Sequence, residues 1–252
     1  MARFRNQKAE LSRICAGVDW KRDLERYLDD GPAVLEAVSP LLALLPRFGF
    51  TWQAAYGLGL AVSRMAAKDM EAARIVMRRL MWSMNEESGN LGWGIPEAMG
   101  CILAESPALA REYGRILISY GHDTGREDNF IEHAPLRRGV YWGIGHLASS
   151  NTVAVKPALP HLIKALGDAD AGVRIMAAFA LGQLAANLPA RERAEGDAAA
   201  EWRAAECALE ETAAAAGAHA AMTDLFDGRA VAAVTLAEMA DRALEALKDR
   251  NG

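Results

Sequence analysis

The sequence predicts an all-α fold: a right-handed α-α superhelix of paired helices, closed by a small C-terminal cap with a possible β-hairpin. Three observations predict it. Segments 166–185 and 136–148 share one layout, and 50–61 and 91–103 follow it more loosely. Aligning them on Gly59, Gly100, Gly145 and Gly182 gives spacings of 41, 45 and 37 residues. A period near 40 residues, with helical spacing inside each unit, marks a two-helix solenoid. Ala and Leu dominate and β-branched residues are scarce, which favours helix. Finally, the chain is 252 residues long and 52% hydrophobic, enough to bury a sizeable core.

The elements follow in order. Residues 3–30 read as two short helices. Asp19 is placed to cap the second, and Gly31 ends it. This pair closes the N-terminal end, where a polar outer face is needed. The first repeat pairs 34–45 with 51–66, and the second pairs 69–84 with 95–105. The third pairs 107–120 with 135–149; Ser106 before Pro107 supplies a cap and a proline at the first helical position. The fourth pairs 157–166 with 172–187, and 188–196 reads as a linker. Residues 197–216 form one Ala-rich helix. In 222–234 the Asp227-Gly228 pair sits between two β-compatible runs, a hairpin signal whose turn should face solvent. Thr235 and Glu238 form a capping box that opens a last helix to about Lys248. Two domains are thus expected: a helical-repeat solenoid over 1–190 and an acidic cap over 191–252, docked on the end of the solenoid.

Charge and composition exclude several function classes. Residues 1–190 carry 21 basic and 20 acidic side chains, and 191–252 carry 7 and 13. No basic stripe exists for a phosphate backbone, so no nucleic-acid partner is expected. Apolar runs such as 41–45 are far too short to span a bilayer, so no membrane partner is expected either. The N-terminus lacks the apolar run of a signal peptide, which makes the cytoplasm the expected compartment. Cys15, Cys101 and Cys207 form no paired motif and read as small buried thiols.

The pattern Asp-x-Asp-x-x-Val-Arg-x-x-Ala-Ala-x-Ala-Leu-Gly-x-Leu at 168–184 resembles a HEAT repeat. More narrowly, it is similar to the HEAT-like repeats named after phycobilisome lyases. Residues 136–147 keep Arg137 and the apolar spacing. The two earlier units keep spacing and glycine, with Thr51 and Gly92 at the arginine position. The stretch 90–100 also resembles a group of uncharacterised bacterial HEAT-repeat proteins. The resemblance covers about 32–187 and implies a HEAT-like solenoid. Within the pattern Val173, Ala177, Leu181 and Leu184 make a core stripe. Asp168 or Asp170 can cap the helix and pair with Arg174.

The alignment also nominates a surface. Trp52, Trp93 and Arg138 share one column; Tyr56, Glu97 and Trp142 share another four residues on, hence on the same helix face. In a HEAT solenoid the second helix of each repeat lines the concave side. These residues, with Arg137, are therefore expected to form an aromatic binding face for a protein segment. The polar loops 85–90 and 121–133 offer Glu86, Asn90, His122, Asp128 and His133 as a weaker loop site, with spacing that matches no metal cage. No nucleophile motif appears, and 89–94 lacks the lysine and serine of a phosphate loop. The reading is a non-catalytic protein-binding or scaffold module with no cofactor, no metal and a protein partner. The phycobilisome-lyase resemblance implies the alternative: a lyase or chaperone-like subunit that handles a cofactor or modified protein.

Overall fold

The computed structural model describes residues 2–29, 31–84, 92–125, 129–194, 196–215 and 221–249. The chain falls into two compact units, 1–113 and 114–252. The sequence places a boundary after residue 190; residues 191–252 share their compact unit with 114–190.

The first unit opens with α1 (Ala2–Cys15) and α2 (Trp20–Asp29). Two helix pairs follow: α3 (Gly31–Leu42) with α4 (Thr51–Lys68), then α5 (Met70–Met84) with α6 (Ile95–Glu105). Asp69 caps α5 by accepting from the Ala72 amide. Helix α7 (Pro107–Ser119) begins as predicted, with the buried Ser106 hydroxyl accepting from the Leu109 amide. The second helices α4 and α6 lie side by side and run the same way. Three contacts fix their register. A Cβ built on Gly94 would meet Thr51 Cγ2 at 2.9 Å, and one on Gly59 would meet Cys101 Cβ at 3.0 Å. Near the other end the Ser63 hydroxyl donates to the Glu105 carbonyl at 3.2 Å.

The second unit holds α8 (Ala134–Ala148) and a segmented helix: α9 (Thr152–Val155), a 3-10 turn and α10 (Leu159–Ala165). Proline at 157 and 160 breaks that helix into pieces, because each removes an amide donor. Next comes α11 (Ala171–Asn187), capped by Asp170, whose carboxylate accepts from the Val173 amide at 2.8 Å. The predicted stripe Val173, Ala177, Leu181 and Leu184 is buried, but so are Ile175, Met176, Ala178 and Ala180 around the helix. A helix apolar on all sides needs neighbours on all sides; α11 has α8, α10 and the C-terminal segment.

The predicted linker contains a short helix, α12 (Ala190–Ala194). Then α13 (Gly196–Ala215) leads into strands β1 (Met222–Phe226) and β2 (Val231–Thr235), and α14 (Leu236–Lys248) ends the chain. The hairpin is antiparallel, with Phe226 opposite Val231 and Met222 opposite Thr235. Gly228 takes φ 92°, and Asp227 at the turn is exposed, as the Asp-Gly signal requires. The Thr235–Glu238 capping box is complete. Helix α13 packs on α10, and α14 packs on α11. The cap is thus a further helix pair laid on the fourth repeat, with the hairpin in place of the usual turn. Arg193 ties it down, donating to the carbonyls of Ala246, Leu247 and Asp249 at the end of α14.

Helix approach in this unit runs through the aligned glycines. A Cβ on Gly145 would stand 2.7 Å from Phe179 and 3.0 Å from the Ala180 Cα, and one on Gly182 would stand 3.3 Å from the Ala243 Cα. Gly145→Ala should therefore destabilise the chain by about 1–3 kcal/mol through overpacking. Gly114→Ala is the control, since a Cβ there meets nothing closer than 3.7 Å. Thermal unfolding of the two variants checks this. Equal melting temperatures would refute the close approach.

Candidate functional site

The predicted face divides into parts with different fates. In the second unit its members are structural. Arg137 is 7% exposed. Its guanidinium donates to the carbonyls of Ile131 and Glu132, and both oxygens of Asp168 accept from it, at 3.1 and 2.9 Å. Phe130 stacks against the same group, 5.1 Å from its ring centre. Arg138 grips Asp170 with two bonds, of 2.8 and 2.6 Å. This fork, with the cap at Val173, holds the Asp170 carboxyl at about 2. The expected partner of these aspartates, Arg174, bonds instead to the carbonyls of Asp168 and Ala169. The correction has a simple cause. Arg174 starts the same helix that the aspartates cap, whereas Arg137 and Arg138 reach across from α8.

Trp142 is 1% exposed and offers no surface to a partner. Its indole Nε1 donates to the Phe226 carbonyl at 2.9 Å, and its ring stacks on His146 at 4.9 Å. The chain's own hairpin therefore covers this part of the face. A groove of about 370 Å³ remains beside it, lined by His146, Phe179, Gln183, Phe226, Asp227 and Arg242 among others.

In the first unit the predicted residues keep access. Trp52 and Tyr56 are partly exposed along α4. The Tyr56 hydroxyl donates to Glu25 at 2.7 Å, Trp20 meets its ring edge-on at 5.5 Å, and the Lys21 ammonium lies 4.7 Å from the ring centre. Burial, then the bond to Glu25, raises the phenol. Trp93 is 41% exposed, in the turn before α6. It lines a cleft of about 290 Å³ with Phe4, Leu42, Arg79 and Ile95. Gly94, with φ 77°, makes that turn.

Glu97, on α6, is partly buried. Its Oε2 atom is sealed from water and has no hydrogen-bond partner among the described residues, and burial pushes its carboxyl up to about 7. The Gln53 side-chain oxygen on α4 is sealed and unpaired in the same way. Both residues fall between the Thr51–Gly94 and Gly59–Cys101 contact points of the two helices. Unpaired buried acceptors cost about 1–3 kcal/mol each. Two of them lie on the adjacent helices α4 and α6, and α4 also carries Trp52 and Tyr56. Gln53 was not legible as a site residue, because nothing local distinguishes it from a solvated glutamine.

Glu86, Asn90 and Asp128 lie outside the described residues. His122 stacks on His161 with ring centres 3.6 Å apart, and His133 is the residue before α8. Among the described residues no group of three or more His, Cys, Asp or Glu is placed to hold a metal. Cys15 and Cys101 are buried as expected, but Cys207 is exposed on α13. No described helix is long and apolar enough to cross a membrane.

Comparison with known proteins supports the fold. Residues 158–188 match the HEAT repeat family. Across 97% of its length the chain is similar to a crystallised engineered protein of the Northeast Structural Genomics Consortium, covering 97% of that chain at 17% identity and TM-score 0.52. It is also similar to a designed armadillo repeat protein, covering 95% of this chain and 99% of that one at 19% identity and TM-score 0.50. At such identities the likeness shows the fold alone, an α-solenoid of the repeat-protein kind. No curated protein matches the chain.

The Arg138–Asp170 fork makes acid stability testable. A carboxyl held below its ordinary value stabilises the fold above pH 3.8, and that contribution is lost as pH falls through about 2. Wild-type melting temperature should fall between pH 4 and 2 more steeply than that of Asp170→Asn. Parallel curves would show that the fork contributes nothing.

Proposed function

We propose that this chain is a non-catalytic protein-binding module, and that the α4–α6 face takes a basic stretch of a partner protein. One observation carries the reading: the unpaired acceptors of Glu97 and Gln53 on α6 and α4, the latter helix also carrying the partly exposed Trp52 and Tyr56. A cationic side chain that parts the two helices locally would give the sealed carboxylate oxygen its donor, and exposed rings on α4 attract cations. Binding would also relieve the cost of burying the charge, so affinity would couple to the ionisation of Glu97. The repeat fold supports the reading, because it presents long helix faces rather than a closed pocket.

The rival reading, a lyase-like subunit, draws on the pattern at 168–184. In this chain the polar residues of that pattern are occupied as a helix cap and as ion-pair partners. No observation in the chain favours it.

Calorimetry with a hexa-arginine peptide tests the proposal. Affinity should rise between pH 6 and pH 8 as Glu97 ionises. Glu97→Gln should weaken binding about tenfold, the scale of one charge-assisted hydrogen bond, and flatten the pH dependence. The same variant should melt higher than wild type at pH 8 and alike at pH 5. A carboxyl raised above its ordinary 4.5 loses stability as pH rises through about 7, and the amide does not. A variant that binds as tightly as wild type would overturn the assignment.

A further inference from the structure

The hairpin carries a feature that the α4–α6 face does not explain. Its hydrogen-bond parity can be read from three contacts. The Asp227 amide donates to the Ala230 carbonyl, so that pair is a bonded one. Bonded and non-bonded pairs alternate along antiparallel strands. With the observed register, Leu225–Ala232 and Thr223–Val234 are bonded, and Phe226–Val231, Asp224–Ala233 and Met222–Thr235 point their backbone groups outward. The other two contacts agree. The Phe226 carbonyl faces out to accept from Trp142, and the Thr235 amide faces out to donate to Glu238.

Trp142 engages the Phe226 end of the β1 edge, and the capping box engages the Thr235 end of β2. The open stretch of β1 carries the charged Asp224, whereas the outer edge of β2 at Val231 and Ala233 carries no charged side chain. Val231, Ala232 and Ala233 are all exposed, and no hydrogen bond from the outward backbone groups of Val231 or Ala233 is found among the described residues. Open edges are ordinarily blunted by lysine, proline or a bulge. The sequence Val231-Ala232-Ala233-Val234-Thr235 has none of these, and its partner register is unbroken. An uncharged, unpaired edge is a template for strand addition.

We propose that the outer edge of β2 binds an extended, net-basic segment of a separate protein by β-strand addition. The strand mode follows from the paired donors and acceptors at Val231 and Ala233. The basic character follows from charge. Residues 191–252 hold 13 acidic and 7 basic side chains, and Asp224, Asp227, Glu238 and Asp241 are exposed on or beside the hairpin. The same charge disfavours a second copy of this chain, whose own β2 would bring a like-charged cap to the edge.

The probe is the capped hexapeptide Arg-Val-Arg-Val-Arg-Val added to the full chain. Amide hydrogen exchange should slow at least tenfold at Val231 and Ala233 when the peptide saturates. Ala233→Pro deletes one outward donor and touches no bond inside the hairpin, since proline is tolerated on an edge whose amide faces solvent. It should weaken peptide binding at least tenfold while the Leu225, Ala232 and Val234 amides stay protected. Should that variant lose the hairpin, Val231→Lys serves instead: it leaves the backbone intact, sets a like charge beside the peptide, and should weaken binding as well. Glu97→Gln should leave the protection at Val231 and Ala233 unchanged, which separates this edge from the α4–α6 face. Undiminished binding to the proline or lysine variant would overturn the proposal. So would a free chain whose Val231 and Ala233 amides are already protected, or one that dimerises through this edge.

Discussion

Close approach between successive second helices is the constraint on which the rest of the structure depends. Gly59, Gly145 and Gly182 each face the neighbouring helix of their own unit at a distance a Cβ would violate or crowd. Removing one methyl per repeat lets the backbones draw together, and dispersion contacts then accumulate along the whole line. The cost is the conformational entropy of a glycine inside a helix, about 1 kcal/mol each. That cost is repaid only if the neighbouring helix is there. This explains why α14 must lie on α11, with Ala243 over Gly182. The C-terminal segment is the next layer that the glycine column calls for.

Polar chemistry then distinguishes the layers. Between α8 and α11 two arginines and two aspartates close a clamp at the helix starts. Burying Arg137 is tolerable because four bonds to two carbonyls and a carboxylate satisfy its terminal nitrogens, which leaves only the buried Nε without a partner among the described residues. The equivalent positions in the first unit are Thr51 and Gly92, and no such clamp forms there. Thr51 instead donates to the Leu45 carbonyl, pinning the preceding turn. Among the described residues no ion pair joins α4 to α6, although Arg64 of α4 pairs with Asp29 of α2, and the acceptors at Gln53 and Glu97 are unsatisfied.

The hairpin has a matching effect in the second unit. By folding onto α11 and accepting a hydrogen bond from the Trp142 indole N–H, it seals an aromatic position that would otherwise be sticky. In doing so it converts an interior need into an exterior edge: β1 is used inward, and β2 is left facing out. The first unit thus keeps unsatisfied side-chain acceptors on α4 and α6, and the second keeps outward backbone groups on β2 besides the buried donors of Arg137, Arg193 and Trp202. Uncompensated groups of this kind are where a partner gains the most from binding.

Much of this was legible in the residues alone, and the reason is locality. The repeat period, the glycine column, the Asp227-Gly228 turn and the Thr235–Glu238 box all depend on neighbours within about four residues or on a spacing that repeats. So does the core stripe from Val173 to Leu184. What a helix face meets is a different kind of fact. Trp142 and Tyr56 occupy the same column, yet one is sealed by a carbonyl 84 residues away and the other stays accessible beside α2. Arg137 and Arg138 find their aspartates 31 and 32 residues along the chain, although Arg174 is far closer in sequence. The sequence determined which side chains share a face, because helical geometry is set residue by residue. Only the tertiary structure decided which faces are covered, because coverage depends on where distant segments come to rest.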